Sequence, residues 1–570
     1  MHRRTCMPSM LATTLIVAAT IAPAGLAAAP ESATEDVSPA RRIDPDRNRG
    51  RGNRGRPPLE GMYRTLDGTG NNVAAPEMGA AFTNLVRLLP SDYADGLTAL
   101  AGPTRPSARV VSNIVIDQDA SIPNPFRTSD FLWQWGQFLD HDLDLTDGID
   151  PPEPEPIVVP GEDAFFFPGP TMEFNRSLYD PSTGIATPRE QVNEITSWID
   201  ASNVYGSEHE RAEALRTLDG TGRLKTSAGG LLPFNEAGLP NAGGEDPTLF
   251  LAGDVRANEQ VGLAVMHTLF VREHNRLADE LAERHPDWSG EEIYQKARRI
   301  VGAQMQVITY REFLPALLGP RGLSRYEGYD PAVEAGVTNV FSAAAYRLGH
   351  SALSPTLLRL DADGAEIPAG HLALRDAFFA TDAILEAGIE PVLRGLAAQR
   401  HQRIDARVID DVRNFLFGAP PTAGFDLAAL NIQRGRDHGL PSYNDARRAL
   451  GLVPAVDFTD VSSDPENQAR LASAYGTVEE IDLWVGGLAE DAVGGGQLGE
   501  LFTEIVARQF EALRDGDRFW YTRTLTPSER AEVERTRLSD IIRRNTSIGR
   551  ELHPDVFHVH GGGGEEGGGG

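Results

Sequence analysis

Gln137, Asp140, His141 and Asp142 sit close together in the run Trp133-Gln134-Trp135-Gly136-Gln137-Phe138-Leu139-Asp140-His141-Asp142-Leu143-Asp144. An imidazole beside carboxylates suits proton transfer, because histidine titrates near neutral pH. In a helix, side chains three and four positions apart return to one face. Gln137, Asp140 and His141 then share a face, and Asp142 points away from it. One turn therefore offers an amide, a carboxylate and an imidazole to one space and a second carboxylate to another.

Four further stretches carry groups of the same kind. Thr196-Ser197-Trp198-Ile199-Asp200-Ala201-Ser202 alternates hard oxygen donors at Thr196, Asp200 and Ser202. With Asp142 they would form an oxygen cage, a donor set that suits calcium rather than zinc or copper. The same residue types also act as local caps and turn formers. Arg256 and Glu259 are three apart, the spacing of one helix face, and His267 and His274 share a face seven apart. The first pair reads equally as a surface ion pair, and the second is more in keeping with packed histidines than with a metal pair. Tyr346-Arg347-Leu348-Gly349-His350 ends an Ala-rich run, and the missing side chain at Gly349 leaves room for a bulky group beside His350. Asn431 and Arg434 again share a face, and an amide can fix a histidine by accepting its ring proton.

Most of the elements that must position these residues are helices by period. They are expected over 127–143, 255–284, 337–351, 372–397, 405–416, 427–434, 443–449, 477–483 and 498–515. Ser289 with Glu292 forms a capping box ahead of a helix ending near Leu318, and Thr526-Pro527-Ser528-Glu529 starts the last one. Strand signals are few and short. The fold class is mainly α: a single large helical domain with few short strands.

The chain has 570 residues, 24% charged and 41% hydrophobic, enough for a sizeable core. Its 53 basic and 82 acidic residues give a formal charge of -29, which disfavours nucleic acid and anionic membranes. Arg3 and Arg4, the apolar run Leu11 to Ala22 and the small residues Ala27 to Ala29 read as a secretory signal. That run falls short of the ~20 residues a membrane span needs. The only cysteine, Cys6, lies inside the signal. The exported chain is therefore expected to hold no disulfide, thiolate nucleophile, Cys-ligated zinc or iron–sulfur cluster. The expected organisation is a signal peptide at 1–29, a disordered Arg/Gly-rich linker at 30–58, one catalytic domain at 59–555 and a disordered Gly-rich tail at 556–570. Secretion places the protein outside the cell or in the periplasm.

Taken together, these stretches resemble the animal-type haem peroxidases (the peroxidase–cyclooxygenase superfamily), in a secreted bacterial-type form. The resemblance rests on the run from Gly136 to Asp142, the run from Thr196 to Ser207, the run from His267 to Arg276, and Arg514-Asp-Gly-Asp-Arg-Phe-Trp-Tyr521, all in the family's order. It spans about Tyr63 to Pro554 and implies the animal haem peroxidase fold. By this resemblance His141 is the distal histidine that moves a proton of hydrogen peroxide, Arg256 polarises the O–O bond, and Gln137 orders distal water or a halide. His350 is the haem-iron ligand and Asn431 its partner. Asp140 and Glu259 match the carboxylates that ester-link haem b. Asp142, Thr196, Asp200, Ser202 and the Trp198 carbonyl match a calcium site. Arg347 and Arg434 complement the haem propionates in charge.

The implied activity is reduction of hydrogen peroxide with oxidation of a halide, thiocyanate or small phenolic donor. Some members carry a methionine, and hence a third haem bond, where this chain has Gln260. Animal members have a cysteine where this chain has Gly70, in keeping with the missing disulfides. The oxygenase branch has a radical-forming tyrosine three residues before the proximal histidine; here that residue is Arg347, with Tyr346 a full turn away. This weighs against a fatty-acid dioxygenase. The intact set of His141, Arg256 and His350 weighs against a non-enzymatic secreted binding protein.

Overall fold

The structure, a computed structural model, describes residues 59, 61–166, 169–420 and 423–560. The expected signal peptide, the linker and the last ten residues of the tail lie outside them. The described chain is mainly helical, and its strands form three two-residue antiparallel pairs: 83–84 with 192–193, 157–158 with 171–172, and 356–357 with 372–373.

The central helix, α1 (Phe131–Leu143), has Phe131, Trp135, Phe138 and Leu139 on its inner stripe, at the spacing of a core-facing helix. All four are fully enclosed. Tyr205 ends a one-turn helix, α2 (Ser202–Tyr205), whose first residues lie against the C-terminal end of α1. The long helix α3 (Val261–Arg284) packs on α1 through Phe270, whose ring stacks on Phe138 at 5.0 Å and tilts against Trp135 at 5.8 Å. Helix α4 (Gly290–Ile308) carries the expected Ser289–Glu292 capping box and continues through a wider turn, Thr309–Phe313, to Leu318. The indole Nε1 of Trp135 donates to Thr309 Oγ1 at 3.2 Å, which ties α1 to that wider turn.

Several expected helices are shorter or broken. The helix expected from 255 begins at Val261, with Gln260 as its N-cap; its Oε1 accepts from Gly262 N at 2.6 Å. The one expected over 337–351 breaks at Ala344 (φ -141, ψ -70), after which a tight 3-10 turn, Ala345–Leu348, leads into Gly349–Ala352, α5, which carries His350. At that break Arg347 Nε takes up the Ser342 carbonyl at 2.9 Å. The helix expected over 372–397 is two pieces separated at Gly388 (φ 72), a left-handed position that glycine adopts without strain. That over 405–416 shrinks to Asp410–Arg413. The helix expected at 427–434 runs to Asp437 as α6 (Leu427–Asp437), its N-cap Asp426 accepting from Ala429 N. A further helix, α7 (Pro465–Tyr475), was not expected, although Asp464, Pro465 and Gly476 (φ 71) give it a cap, a first-turn proline and a stop. The packed chain also passes the expected boundary at 555. Val556 and Phe557 are buried, Phe557 O accepts from Ser129 N, and Val559 N donates to Arg127 O. These contacts pin the last described segment to the start of α1.

Candidate active site

A cavity of about 490 Å³ lies between α1 and the segment around His350, within the ~300–1,000 Å³ typical of small-molecule sites. Gln137, Asp140 and His141 line one side with Arg256 and Glu259, and Arg347, His350, Asn431 and Arg434 line the other. A Cβ at Gly349 would meet nothing within 4 Å, so this position leaves the space beside His350 open.

Residues Ala252 to Gln260 reach α1 as turns, not as helix, so Arg256 and Glu259 share a turn in which Glu259 N donates to Arg256 O at 2.8 Å. Gly253 makes the approach possible, because a Cβ there would stand 2.5 Å from the Ser202 carbonyl oxygen. The next residue, Asp254, is buried beside Arg256 and His141 on the first of these sides. Its carboxylate accepts from Arg256 Nε and Nη2, both at 2.9 Å, and from Arg256 N at 2.8 Å. Its Oδ1 also lies 3.4 Å from His141 Nδ1. The second His141 nitrogen, Nε2, faces the cavity 3.9 Å from Glu259 Oε2. Arg256 Nη2 donates to the Asp144 carbonyl at 2.8 Å and Nη1 lies 3.8 Å from Asp140 Oδ2.

Burial and then the Arg256 charge push the His141 imidazole well below its ordinary pKa, so it is neutral at neutral pH. Against a strong burial penalty, Arg256 holds Asp254 ionised far below the usual carboxylate range. Burial raises Glu259 to about 7, against the pull of Arg256. Asp140 is pushed well up by burial and by the neighbouring Asp144. Gln137 Nε2 donates to Glu259 Oε2 at 3.1 Å, and its Oε1 accepts from Gln260 Nε2 at 3.0 Å. Gln260 also donates to Gln134 Oε1 at 2.7 Å, so it sets which end of the Gln137 amide faces Glu259.

On the opposite side, Asn431 Nδ2 stands 2.7 Å from His350 Nδ1, and Asn431 Oδ1 accepts from Arg347 Nη1 at 3.2 Å. The contact joins the expected pair, but it is the amide nitrogen, not the oxygen, that faces the ring. The two ends of an amide exchange by a half turn. Burial and then Arg347 lower the His350 pKa to about 3, so its ring is neutral. Arg434 is held by Ser177 Oγ at 2.7 Å and Asp437 Oδ2 at 3.2 Å.

Asp142 points away from this cavity, as the helix geometry predicts. Its Oδ2 accepts from Asp200 N and Ala201 N, both at 3.1 Å, and its Oδ1 accepts from Ser202 Oγ at 2.9 Å and Asn203 N at 3.2 Å. Thr196 Oγ1 donates to Asp200 Oδ1 at 3.3 Å. Four of the five expected ligands thus meet, and Trp198 is enclosed in the same loop. Asp200 Oδ2 is buried with no hydrogen-bond partner. Burial, then the nearby Asp200, raises Asp142 to about 8. Among the described residues no group of three or more His, Cys, Asp or Glu side chains forms a metal site, so any cation here rests on two carboxylates plus hydroxyl and backbone oxygens.

Asp254 is the site residue that sequence reading passed over, and Gln260, noted only for lacking a third haem bond, turns out to orient the Gln137 amide. The signal for Asp254 was present: an aspartate two residues before an arginine folds back on the arginine's own N–H. His267 and His274 are packed residues: His267 stands edge-on to Phe138 at 5.0 Å, and His274 is bonded to Tyr205 OH at 2.8 Å.

The sequence profile of the family described as "Animal haem peroxidase" matches residues 63–557. The chain is 39% identical to the Peroxidasin homolog of Mus musculus over 560 residues, covering 87% of this chain but 37% of that protein. It therefore spans little more than a third of that relative. Among solved structures, Peroxidase A from Dictyostelium discoideum superposes with a TM-score of 0.80 at 36% identity, covering 87% of this chain and 99% of that one. Oryza sativa fatty acid alpha-dioxygenase shares the fold, with a TM-score of 0.74 at 24% identity over 89% of each chain.

Proposed function

The chain belongs to the animal haem peroxidase family, and from that premise we propose that it is a haem peroxidase that reduces hydrogen peroxide and oxidises a small donor such as a halide, thiocyanate or a phenol. The observation that carries the reading is the placement of neutral His141 and charged Arg256 on one wall, with Asp254 bonded to Arg256 and 3.4 Å from His141 Nδ1, and with neutral His350 lining the same cavity.

A haem held through His350 in this cavity would supply the two-electron redox chemistry between peroxide and the donor. The chain supplies the proton handling. The Asp254 carboxylate 3.4 Å from Nδ1 favours the proton on that nitrogen, which leaves His141 Nε2 a free lone pair toward the cavity; it accepts a proton from one peroxide oxygen and returns it to the departing one. The Arg256 fork is fixed before the reaction, so its positive charge meets the developing negative charge without reorganisation. Gln137 offers an amide to water or a halide beside them. His350 would hold the iron through Nε2, which requires a proton on Nδ1 and an acceptor facing it. A half turn of Asn431 presents that acceptor and frees Arg347 for a propionate. Asp140 and Glu259 open onto the cavity as carboxyls raised toward neutrality, suited to ester links with the haem.

A haem-supplemented preparation should show a Soret band and turn over peroxide with bromide, thiocyanate or a phenol; absence of the band would overturn the reading. His350→Ala should abolish the wild-type ligation spectrum, and Asp140→Ala with Glu259→Ala should make the haem extractable into acidic acetone.

Calcium belongs to the same reading. The unpartnered Asp200 Oδ2, the two buried carboxyls and the hydroxyls of Thr196 and Ser202 fit a hard cation. Calcium at a hundredfold above its dissociation constant adds ~2.7 kcal/mol. With an unfolding entropy of ~1 kcal/mol per degree for this size, EGTA should lower the melting temperature by about 2–3 °C. An unchanged melting temperature would leave Asp142 as a cap for α2 alone.

A further inference from the structure

A run of aromatic rings leaves the cavity on the side of Tyr346 and ends near the surface. Tyr346 lines the cavity, and its ring lies 5.7 Å from Phe510. Phe510, on the helix α8 (Glu500–Asp515), lies 6.2 Å from Tyr310. Tyr310 meets Trp520 edge-on at 5.0 Å. There the run forks: Trp520 lies 5.0 Å from Tyr521 and 5.7 Å from Tyr326. Tyr326 is partly exposed, whereas Tyr346, Trp520 and Tyr521 are buried. Trp520 and Tyr521 close the Arg514–Tyr521 run noted in the sequence, which the peroxide chemistry itself does not use.

The chemistry of the two ends differs. The Tyr346 hydroxyl is buried without a hydrogen-bond partner, and its pKa is pushed far up by burial. A phenol that loses an electron becomes a strong acid, so one with no base beside it is a poor resting place for an oxidising equivalent. Tyr521 is the opposite case: its OH donates to Glu534 Oε1 at 3.0 Å, so its proton has somewhere to go. Trp520, in between, can lose an electron without an immediate proton acceptor. Phe510 is not itself oxidised and acts as packed material between two phenols.

We propose that Tyr346, Tyr310, Trp520 and Tyr521 form an electron-transfer path that lets the protein oxidise a bulky one-electron donor seated over the partly exposed Tyr326, outside the haem cavity. This rests on the peroxidase reading, because the oxidant at the inner end is haem that has reacted with peroxide. Tyr521 gives one electron inward through Trp520, Tyr310 and Tyr346, and its phenolic proton to Glu534 Oε1. An outer donor at Tyr326 then returns one electron through Trp520 to the Tyr521 phenoxyl, and Glu534 returns the proton. The net step moves one electron from the outer donor to the haem. The substrate class is a basic redox protein, which is too large for a cavity of about 490 Å³ and which the chain's formal charge of -29 attracts.

The test freezes the haem-loaded protein after one equivalent of hydrogen peroxide and records the paramagnetic resonance of organic radicals. The wild type should show a protein radical that changes in Trp520→Phe and Tyr521→Phe. Both substitutions keep an aromatic ring, and melting temperature checks that each variant folds. Peroxide-dependent oxidation of ferrocytochrome c should fall at least tenfold in Trp520→Phe, while oxidation of bromide or thiocyanate stays unchanged. A radical identical in all three proteins, or equal ferrocytochrome c rates, would overturn the path and reduce these rings to core packing. Failure of the peroxidase reading is separable: the Soret band would not respond to peroxide in any of the proteins.

Discussion

Replacing His141 by alanine is expected to slow the reaction of the haem-loaded protein with hydrogen peroxide by about 10²–10⁴-fold, read as the stopped-flow rate of the Soret change. The expectation follows from the geometry of the two ring nitrogens. Nδ1 is turned to the Asp254 carboxylate at 3.4 Å, which leaves Nε2 as the one facing the cavity. Among the described residues no other side chain duplicates that position, because the nearby acids have other roles. Glu259 receives the Gln137 amide and Asp140 lies beside Arg256. The pH dependence has a definite sign. Burial and Arg256 lower the His141 pKa well below its ordinary value, so Nε2 is free to accept a proton at neutral pH. The wild-type rate should therefore be flat around neutrality and fall only in acid, as the ring protonates. In the alanine variant that acid limb should vanish together with most of the rate. A loss smaller than tenfold, with the acid limb intact, would assign the proton transfer to another group.

The two faces of α1 were legible from spacing alone. Gln137, Asp140 and His141 do face one space, and Asp142 does turn to Asp200 and Ser202. A rigid helix makes that inference safe, because the angle between side chains depends only on the number of residues between them. The other side was harder to read. Arg256 and Glu259 are three apart, yet they sit in a turn, and His350 lies on a single helical turn after a break at Ala344. Such irregular backbone is fixed by tertiary partners, here Arg347 on the Ser342 carbonyl and Gly253 against Ser202, and no local periodicity reports it. Asp254 was hidden for the same reason. Its neighbours in sequence suggest a turn former, and only the fold shows that the turn delivers its carboxylate to His141. The termination of the packed chain was misplaced because Val556 and Phe557 earn burial from the start of α1, more than 400 residues away, and nothing local to them signals it.

Arg256→Ala is expected to cost about 10²–10³-fold in the same peroxide reaction, the range for removing a preorganised charged donor. The side chain is fixed at several points: Asp254 takes Nε and Nη2, and the Asp144 carbonyl takes Nη2 as well. Lysine preserves the charge but not the planar fork, so Arg256→Lys should recover only part of the loss. The alanine variant has a second consequence that separates a direct role from loss of structure. It leaves Asp254 buried without its main partner, a change that costs about 3–5 kcal/mol when a buried pair is broken. Arg256 is also the charge that depresses His141, whereas Asp254 pulls the imidazole the other way. Removing the guanidinium must therefore raise the His141 pKa, and the acid limb of the peroxide reaction should move to higher pH. Asp254→Asn should move it in the opposite sense, since it takes away the carboxylate that favours the protonated ring. If both variants lose rate with the limb unmoved, Asp254 does not couple the two groups and the loss reflects a collapsed site. If the limbs move apart as stated, one buried carboxylate sets both the charge that meets the breaking O–O bond and the basicity of the histidine that moves its proton.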